Sequence, residues 1–512
     1  MQKIPQVFGD TAITADLLVI IILLFPLLAV GALIIYALSI RALRRLPEHE
    51  YEQAVRAPAW FAVAIGLGIS VLSLIALPLI IEPIFIGSQQ QFPLLRADSY
   101  SCWGTALLGL TLALLSWVPA ARRSLVPNTI LPFGIIFFLT WFAELLLFSI
   151  SQPLTLCCWI LLVVGVYLFW WYICRPDWRW RDVEISLVLL LCAVLGMVGL
   201  WWLLRITNGA PLTNLWQVLL NSSVGASSAA LLMVMLGMLG PAIYLPWWLW
   251  LRREDARMVW QPAAGILALT GVLTLVRLVC FTFPGSELQA LPNVNIDQLY
   301  LLNKVLVWLA GWGMLAVYGG VIWQLYLAVV VRKRHISLAY LHPLALILGG
   351  MLLLGLAAGF QAQGVAGGKD NISGILWTQF AWLSTMLVWL TGGGILPALT
   401  VKERSERVVV IVSMIVALAS LCALPFTPGF IALRSHWPII FAPWLVVVAL
   451  GTTAISVGFT LPRWLAHQTT PSLRGGAGWG IFPAFIGAAL ILAAALFAIP
   501  LVDIVRQSLL TR

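Results

Sequence analysis

Apolar runs of about 20 residues, each closed by a short polar segment, recur from one end of this chain to the other, and that is the length an α-helix needs to cross a bilayer. Lipid offers no hydrogen-bond partners, so each such segment must satisfy its own backbone, which a helix does. Only 9% of the 512 residues are charged and 62% are hydrophobic, where a soluble domain carries about 25% charged residues. A chain of this make-up has too little polar surface to face water. Soluble enzymes and disordered binding proteins are thereby excluded, and the fold class is an all-α polytopic membrane protein embedded in a lipid bilayer.

The runs divide into about fourteen crossings of the required length, near 17–40, 58–87, 102–120, 128–150, 153–174, 185–205, 222–250, 260–283, 299–331, 337–360, 373–399, 408–425, 437–461 and 479–505. Little chain is left for a folded domain outside the membrane. The first run is too long for the core of a cleavable signal, and Asp10 and Asp16 precede it. The formal charge of +10 would suggest a nucleic-acid partner in a soluble protein. Here no nucleic acid is expected, because the cations sit in short loops where they report topology. Connections after odd-numbered crossings are basic: Arg41, Arg44 and Arg45; Arg122 and Arg123; Arg175, Arg179 and Arg181; Arg252, Arg253 and Arg257. The series continues through Arg332, Lys333 and Arg334, then Lys402, Arg404 and Arg407, then Arg463, whereas the alternate connections hold acids such as Glu287, Asp297 and Asp370. Basic connections stay in the cytoplasm, which predicts a multi-pass protein of the inner (plasma) membrane with both termini outside.

Two crossings carry helix-disturbing residues. Gly237, Gly240, Pro241 and Pro246 fall within the seventh, and Pro425, Pro428 and Gly429 end the twelfth. Proline removes a helix hydrogen bond and glycine eases unwinding, so both helices are expected to be broken. Their separation by five crossings suggests that helices 4–8 are repeated as 9–13, inverted because five is odd. The implied division is an N-terminal three-helix segment (1–127), a first five-helix repeat (128–283), a second (299–461) and a C-terminal helix (479–512). The bland alternative is that proline and glycine are simply frequent in membrane helices.

Several short stretches then carry a resemblance. Residues 246–251 (PWWLWL) look like a P-F-H-x-W-L pattern, 271–277 (GVLTLVR) like G-x-Y-x-x-x-R, 335–340 (HISLAY) like K-R-x-x-A-Y, and 425–430 (PFTPGF) like P-P-x-x-G-F. In this order, on these helices, the chain resembles the antiporter-like, proton-translocating membrane subunits of respiratory complex I (NADH:quinone oxidoreductase) and the Mrp-type antiporter family, as a divergent member. The match runs roughly from residue 100 to 465. The resemblance implies fourteen helices, inverted repeats and a line of buried Glu, Lys and His that relays protons. Carried over position by position, that line falls on Ile160, Pro241, Leu269, Ser384 and Leu433. All five are neutral.

Few intramembrane charges remain as proton-path candidates. Trp141 to Glu144 also looks like the family's aromatic-x-x-Glu, but Glu144 falls on the fourth helix, one too early. An ionisable group in hydrocarbon is costly unless a partner or a function maintains it. Lys304, near the outer start of the ninth helix, can snorkel to the interface. Arg277 matches a family arginine, and either reaches the outer interface or caps a neighbouring helix. Arg434 adjoins Leu433 but is turned about 100° from it on a regular helix. His335 and His342 flank a basic helix end, where a structural role is commoner than a relay. The Trp clusters near helix ends fit interfacial belts, and the seven cysteines fit packing, with no metal expected.

No GxGxxG and no cysteine cluster is present, so no catalytic residue and no cofactor is expected on this chain. By resemblance it is a non-catalytic membrane-arm subunit of a complex I-like NADH:quinone oxidoreductase or a related energy-converting complex. Its partners would be the other membrane and peripheral subunits of that redox complex. The neutral positions leave two roles open there, a scaffold or a path rebuilt around Glu144, Lys304 and Arg434. The alternative is a stand-alone membrane solute or ion transporter.

Overall fold

A computed structural model describes residues 7–42, 48–80, 83–86, 94–121, 130–174, 180–220, 224–250, 261–282, 310–323, 404–421, 424–431 and 482–510, with a few single residues between 307 and 376. The long helices are α1 (Val7–Ala42), α2 (Glu48–Leu79), α3 (Ser99–Ala121), α4 (Ile130–Phe148), α5 (Gln152–Cys174) and α6 (Trp180–Ile206). After a short α7 (Leu215–Leu220) come α8 (Val224–Trp250), α9 (Gln261–Thr282), α10 (Ala310–Trp323), α11 (Arg404–Leu421) and α12 (Phe482–Leu510). Among the described residues seven helices are long and apolar enough to cross a membrane. The protein is a multi-pass helical membrane protein. Most of the proposed second repeat, with Lys304, His335, His342, Ser384, Leu433 and Arg434, lies outside the described residues.

Two departures from the sequence reading have clear physical causes. The second run, expected to stay helical to residue 87, leaves the helix at Leu79 and forms a strand, β1 (Ile84–Ile86), paired antiparallel with β2 (Leu95–Ala97). Pro83 lacks the N–H that would continue the helix. The strands are too short for alternation to show in the sequence. The second departure concerns the seventh crossing, α8, which is helical without interruption through Gly237, Gly240, Pro241 and Pro246. Proline and glycine are frequent enough in membrane helices that their presence alone does not break one. The twelfth crossing does break: α11 ends at Leu421, Leu424 to Thr427 turn, and helix resumes at Pro428. Phe426 sits in the left-handed region there (φ 66°). Ser420 Oγ accepts the Gly429 N–H at 3.3 Å, and any side chain at Gly429 would strike the Ser420 carbonyl.

The glycines of α8 serve packing instead of unwinding. A methyl group on Gly237 would collide with the backbone of Gly196 on α6, and one on Gly240 with Cys192 Sγ. On the opposite side, Gly271 of α9 abuts the Met238 carbonyl. Close backbone approach through small residues is how helices associate in lipid, where apolar burial alone gives little drive. The same device joins α2 and α3. A Cβ on Gly109 would lie 2.6 Å from the Gly66 carbonyl oxygen and 2.7 Å from Ser70 N.

Burial sorts the helices. Gln261–Leu278 of α9 is wholly buried and Ser99–Trp117 of α3 nearly so, whereas only about a third of Ser186–Ile206 of α6 is buried. A helix that is apolar all round and sheathed by others is a core element. α3 and α9 form that core, with α2, α4, α8 and α12 against them and α1, α5, α6 and α11 farther out.

Candidate functional site

Among the described residues, two groups of buried charged side chains lie inside the helical body. The first is assembled at the end where β2 meets α3, the end that the charge alternation assigns to the outside. Asp98 is the residue before α3, and its carboxylate Oδ1 accepts the Ser101 N–H at 2.8 Å while Ser101 Oγ accepts the Asp98 N–H at 2.9 Å. This reciprocal cap satisfies two backbone donors at the start of the helix. The other carboxylate oxygen, Oδ2, is 3.2 Å from Arg96 Nε and 3.3 Å from Arg277 Nη2. Arg277 Nη2 also donates to the Arg96 carbonyl at 3.1 Å. Both guanidinium groups lie over the Phe281 ring, at 5.8 and 5.6 Å from its centroid.

The arrangement holds two cations and one anion with 3–5% of their side-chain surface exposed. Arg277 Nε and Nη1 find no acceptor among the described residues. Arg277 thus ties α9 to the residues just before α3, while the cap itself is made by Asp98 and Ser101. Asp98 and Arg96 were missed in the sequence as partners. The signal available was local, an Asp-Ser-Tyr-Ser start before an apolar run, and it marks a helix cap without saying what the second carboxylate oxygen does. Nearby, the Tyr100 hydroxyl donates to the Leu273 carbonyl at 2.8 Å, a second link between α3 and α9.

The second group is a single side chain. Glu144 is fully buried on α4, and neither carboxylate oxygen has a hydrogen-bond partner among the described residues. It stands four residues before the end of α4, about 6 Å of helical rise from Phe148. Leu147, one turn on, meets the position of Gly104 on α3 together with Leu273 of α9. Glu144 thus lies toward the same end of the body as the arginine cluster and away from the middle of its helix.

Of the five positions carried over from the resemblance, three lie among the described residues. Leu269 and Pro241 are buried and Ile160 half-buried. Gly240 belongs to the α6–α8 contact, Pro241 and Pro246 continue α8, and Pro425, Pro428 and Gly429 form the break of the twelfth crossing. Among the described residues, no three His, Cys, Asp or Glu side chains are placed to hold a metal ion.

The class of protein defined by these features is a multi-pass helical membrane protein with a tightly packed core and, among the described residues, few internal charges. By sequence, no family model and no curated protein matches it. By structure, the chain shares the fold of subunits of respiratory membrane complexes. It aligns over 96% of its length with 97% of a chain of the membrane-bound sulfane sulfur reductase, an archaeal respiratory membrane complex, at TM-score 0.61 and 12% identity. It aligns over 96% of its length with 52% of a chain of the Mrp complex from Dietzia sp. DQ12-45-1b, at TM-score 0.61 and 16% identity. A chain of respiratory complex I from Thermus thermophilus aligns over 98% of its length with 94% of this one, at TM-score 0.57 and 17% identity.

Proposed function

We propose that this chain is an antiporter-like membrane-arm subunit of a complex I-like oxidoreductase or a related energy-converting complex, and that it takes part there in redox-driven proton translocation. The observation that carries the reading is the likeness in fold, over 94–96% of this chain, to chains of a membrane-bound sulfane sulfur reductase, an Mrp complex and respiratory complex I. The short motifs at 246–251, 271–277, 335–340 and 425–430, in that order along the sequence, support the reading. Partner membrane and peripheral subunits follow from the reading, as does a multi-pass location in the plasma membrane with both termini outside. Lys304 and Arg434 remain proton-path candidates on sequence grounds alone. Arg277, tied into a structural cluster, is a weaker one.

Within this reading Glu144 is the residue on which conduction turns. The side chains at Ile160, Pro241 and Leu269 cannot carry a proton. A buried carboxylate with no partner among the described residues is a liability that a pure scaffold has no reason to keep. The glutamine variant Glu144→Gln removes the titratable proton and keeps the shape. In liposomes containing the whole native complex, it is expected to lower proton flux per electron by about one pumping unit while assembly persists. Unchanged stoichiometry would assign the chain to scaffolding.

Subunit and lone transporter separate in mild detergent. The chain is expected to co-purify at fixed stoichiometry with other membrane and peripheral chains, measured by mass spectrometry of the isolated particle. Migration as a monomer or homo-oligomer would support the stand-alone carrier instead.

A further inference from the structure

We infer that the buried cluster where α9 meets the start of α3 binds one small monovalent anion of about the size of chloride, held by the unused N–H groups of Arg277 and the hydroxyl of Thr274. Arg277 is a buried cation with a poor share of negative charge. Its ion pair among the described residues is with Asp98 Oδ2, at 3.3 Å, and Arg96 Nε stands 3.2 Å from the same oxygen. A charge-assisted N–H···O bond is ordinarily about 2.7–2.9 Å long. Asp98 has little more to offer, because Oδ1 accepts the Ser101 N–H. The side chains of Arg277 and Asp98 are only 3% and 5% exposed, and a guanidinium taken out of water is costly unless it is well paired.

The unmatched donors mark the place. A guanidinium carries five N–H bonds. Arg277 spends Nη2 on the Asp98 carboxylate and the Arg96 carbonyl, while Nε and Nη1 have no acceptor among the described residues. Thr274, three residues earlier on α9, is an independent observation. A buried threonine in a helix can turn its hydroxyl back to the carbonyl four residues before it, and Thr105, Thr111, Thr140 and Thr270 all do so here. Thr274 Oγ1 is buried as deeply and makes no hydrogen bond among the described residues. Residues three apart are neighbours on a helix surface, so the two sets of idle donors lie on one stripe of α9.

The chemistry selects the ligand. Idle N–H and O–H groups call for an acceptor, and a guanidinium whose carboxylate is shared calls for a negative one. The 23-residue helix α3 begins at the same place, and the positive end of its dipole favours an anion there. Burial sets the size, since a side so nearly closed to solvent leaves no opening for a lipid headgroup and suits a monatomic ion. Glu144 is not the missing acceptor, because neither of its oxygens has a partner among the described residues. The inference concerns how α9 is anchored to α3, and it stands whether or not the chain conducts protons.

The test is the thermal stability of the native complex, prepared in sodium gluconate and titrated with sodium chloride at constant ionic strength. Saturable stabilisation by chloride or bromide is expected, and none from further gluconate. Thr274→Val removes the hydroxyl and keeps the shape, and is expected to raise the half-saturating chloride concentration about tenfold. Thr270→Val, on the same helix with its hydroxyl already given to the Ile266 carbonyl, should titrate like wild type. Bromide retained after desalting, counted by X-ray fluorescence, is expected to fall by one ion per copy of this chain in the variant Arg96→Met/Asp98→Leu/Arg277→Met. The Thr274→Val titration decides the matter even if that variant fails to assemble. Equal stabilisation by chloride and gluconate would overturn the proposal, as would a Thr274→Val titration that matches wild type. An unchanged bromide count in the triple variant would also overturn it, placing the ion elsewhere in the complex. Stability independent of chloride with no bromide retained would assign the site to water instead.

Discussion

Replacing Asp98 by alanine is expected to destabilise the protein by about 3–5 kcal/mol, enough to prevent its accumulation in the assembled complex. The size follows from what the carboxylate faces. Arg96 and Arg277 are both within 3.3 Å of Oδ2 and both buried, and removing the shared anion leaves two cations in a dry site, the costly way to break a buried ion pair. Loss of the cap on α3 adds about 1 kcal/mol. Asp98→Ser separates the two contributions, since serine retains the cap and abandons the charge. It should recover only the smaller part. Converting the whole cluster to apolar residues of similar size (Arg96→Met, Asp98→Leu, Arg277→Met) should restore most of the loss, because a buried ion pair is worth little against a well-packed apolar replacement. Thermal melting of the detergent-solubilised complex, followed by size-exclusion chromatography, ranks the variants. Wild-type stability in Asp98→Ser would show that the cap and not the charge is what matters.

The second large effect is expected from a single methyl group. Gly109→Ala places a Cβ 2.6 Å from the Gly66 carbonyl oxygen and 2.7 Å from Ser70 N. Both are backbone atoms, so no side chain can swing aside and the two helices must separate. Ser70 Oγ donates to the Ala106 carbonyl at 3.0 Å across the same contact, and that bond is lost as they part. Overpacking of this kind typically costs about 1–3 kcal/mol, and here a cross-helix hydrogen bond goes with it. Gly134→Ala, on α4 with nothing within 4 Å of the new methyl, is the matched control. It should be neutral or slightly stabilising, since alanine outranks glycine in a helix. A melting temperature lowered for Gly109→Ala and unchanged for Gly134→Ala is the expected pair of results. Equal shifts would mean that helix propensity, not the α2–α3 approach, sets the outcome.

Much of the membrane layout was legible in the sequence for one physical reason. Each crossing must satisfy its own backbone hydrogen bonds in lipid, so its length and apolar character are written locally. The boundaries of α5, α8 and α9 lie within two residues of those read from the apolar runs. The break after α11 was equally local, since Pro425, Pro428 and Gly429 act on their own turn. Gly237 and Gly240 were misread because glycine has two uses, and only the neighbouring helix distinguishes them. With Gly196 and Cys192 of α6 pressed against it, α8 gains from their small size and has no cause to unwind.

The candidate site was legible in pieces. Glu144 stands out in any apolar sequence, and its burial on α4 follows from where it sits. The meeting of Asp98 with Arg277, 179 residues apart, could not be read from either neighbourhood. Nor could the hairpin that brings Arg96 to the same carboxylate. The sequence by itself determined that this protein is a helical membrane protein and, in large part, where its helices run, because hydropathy and backbone satisfaction act within a segment. Only the tertiary structure decided which glycines are contacts and which charges are paired, because those depend on the shapes of surfaces that the chain brings together from distant positions.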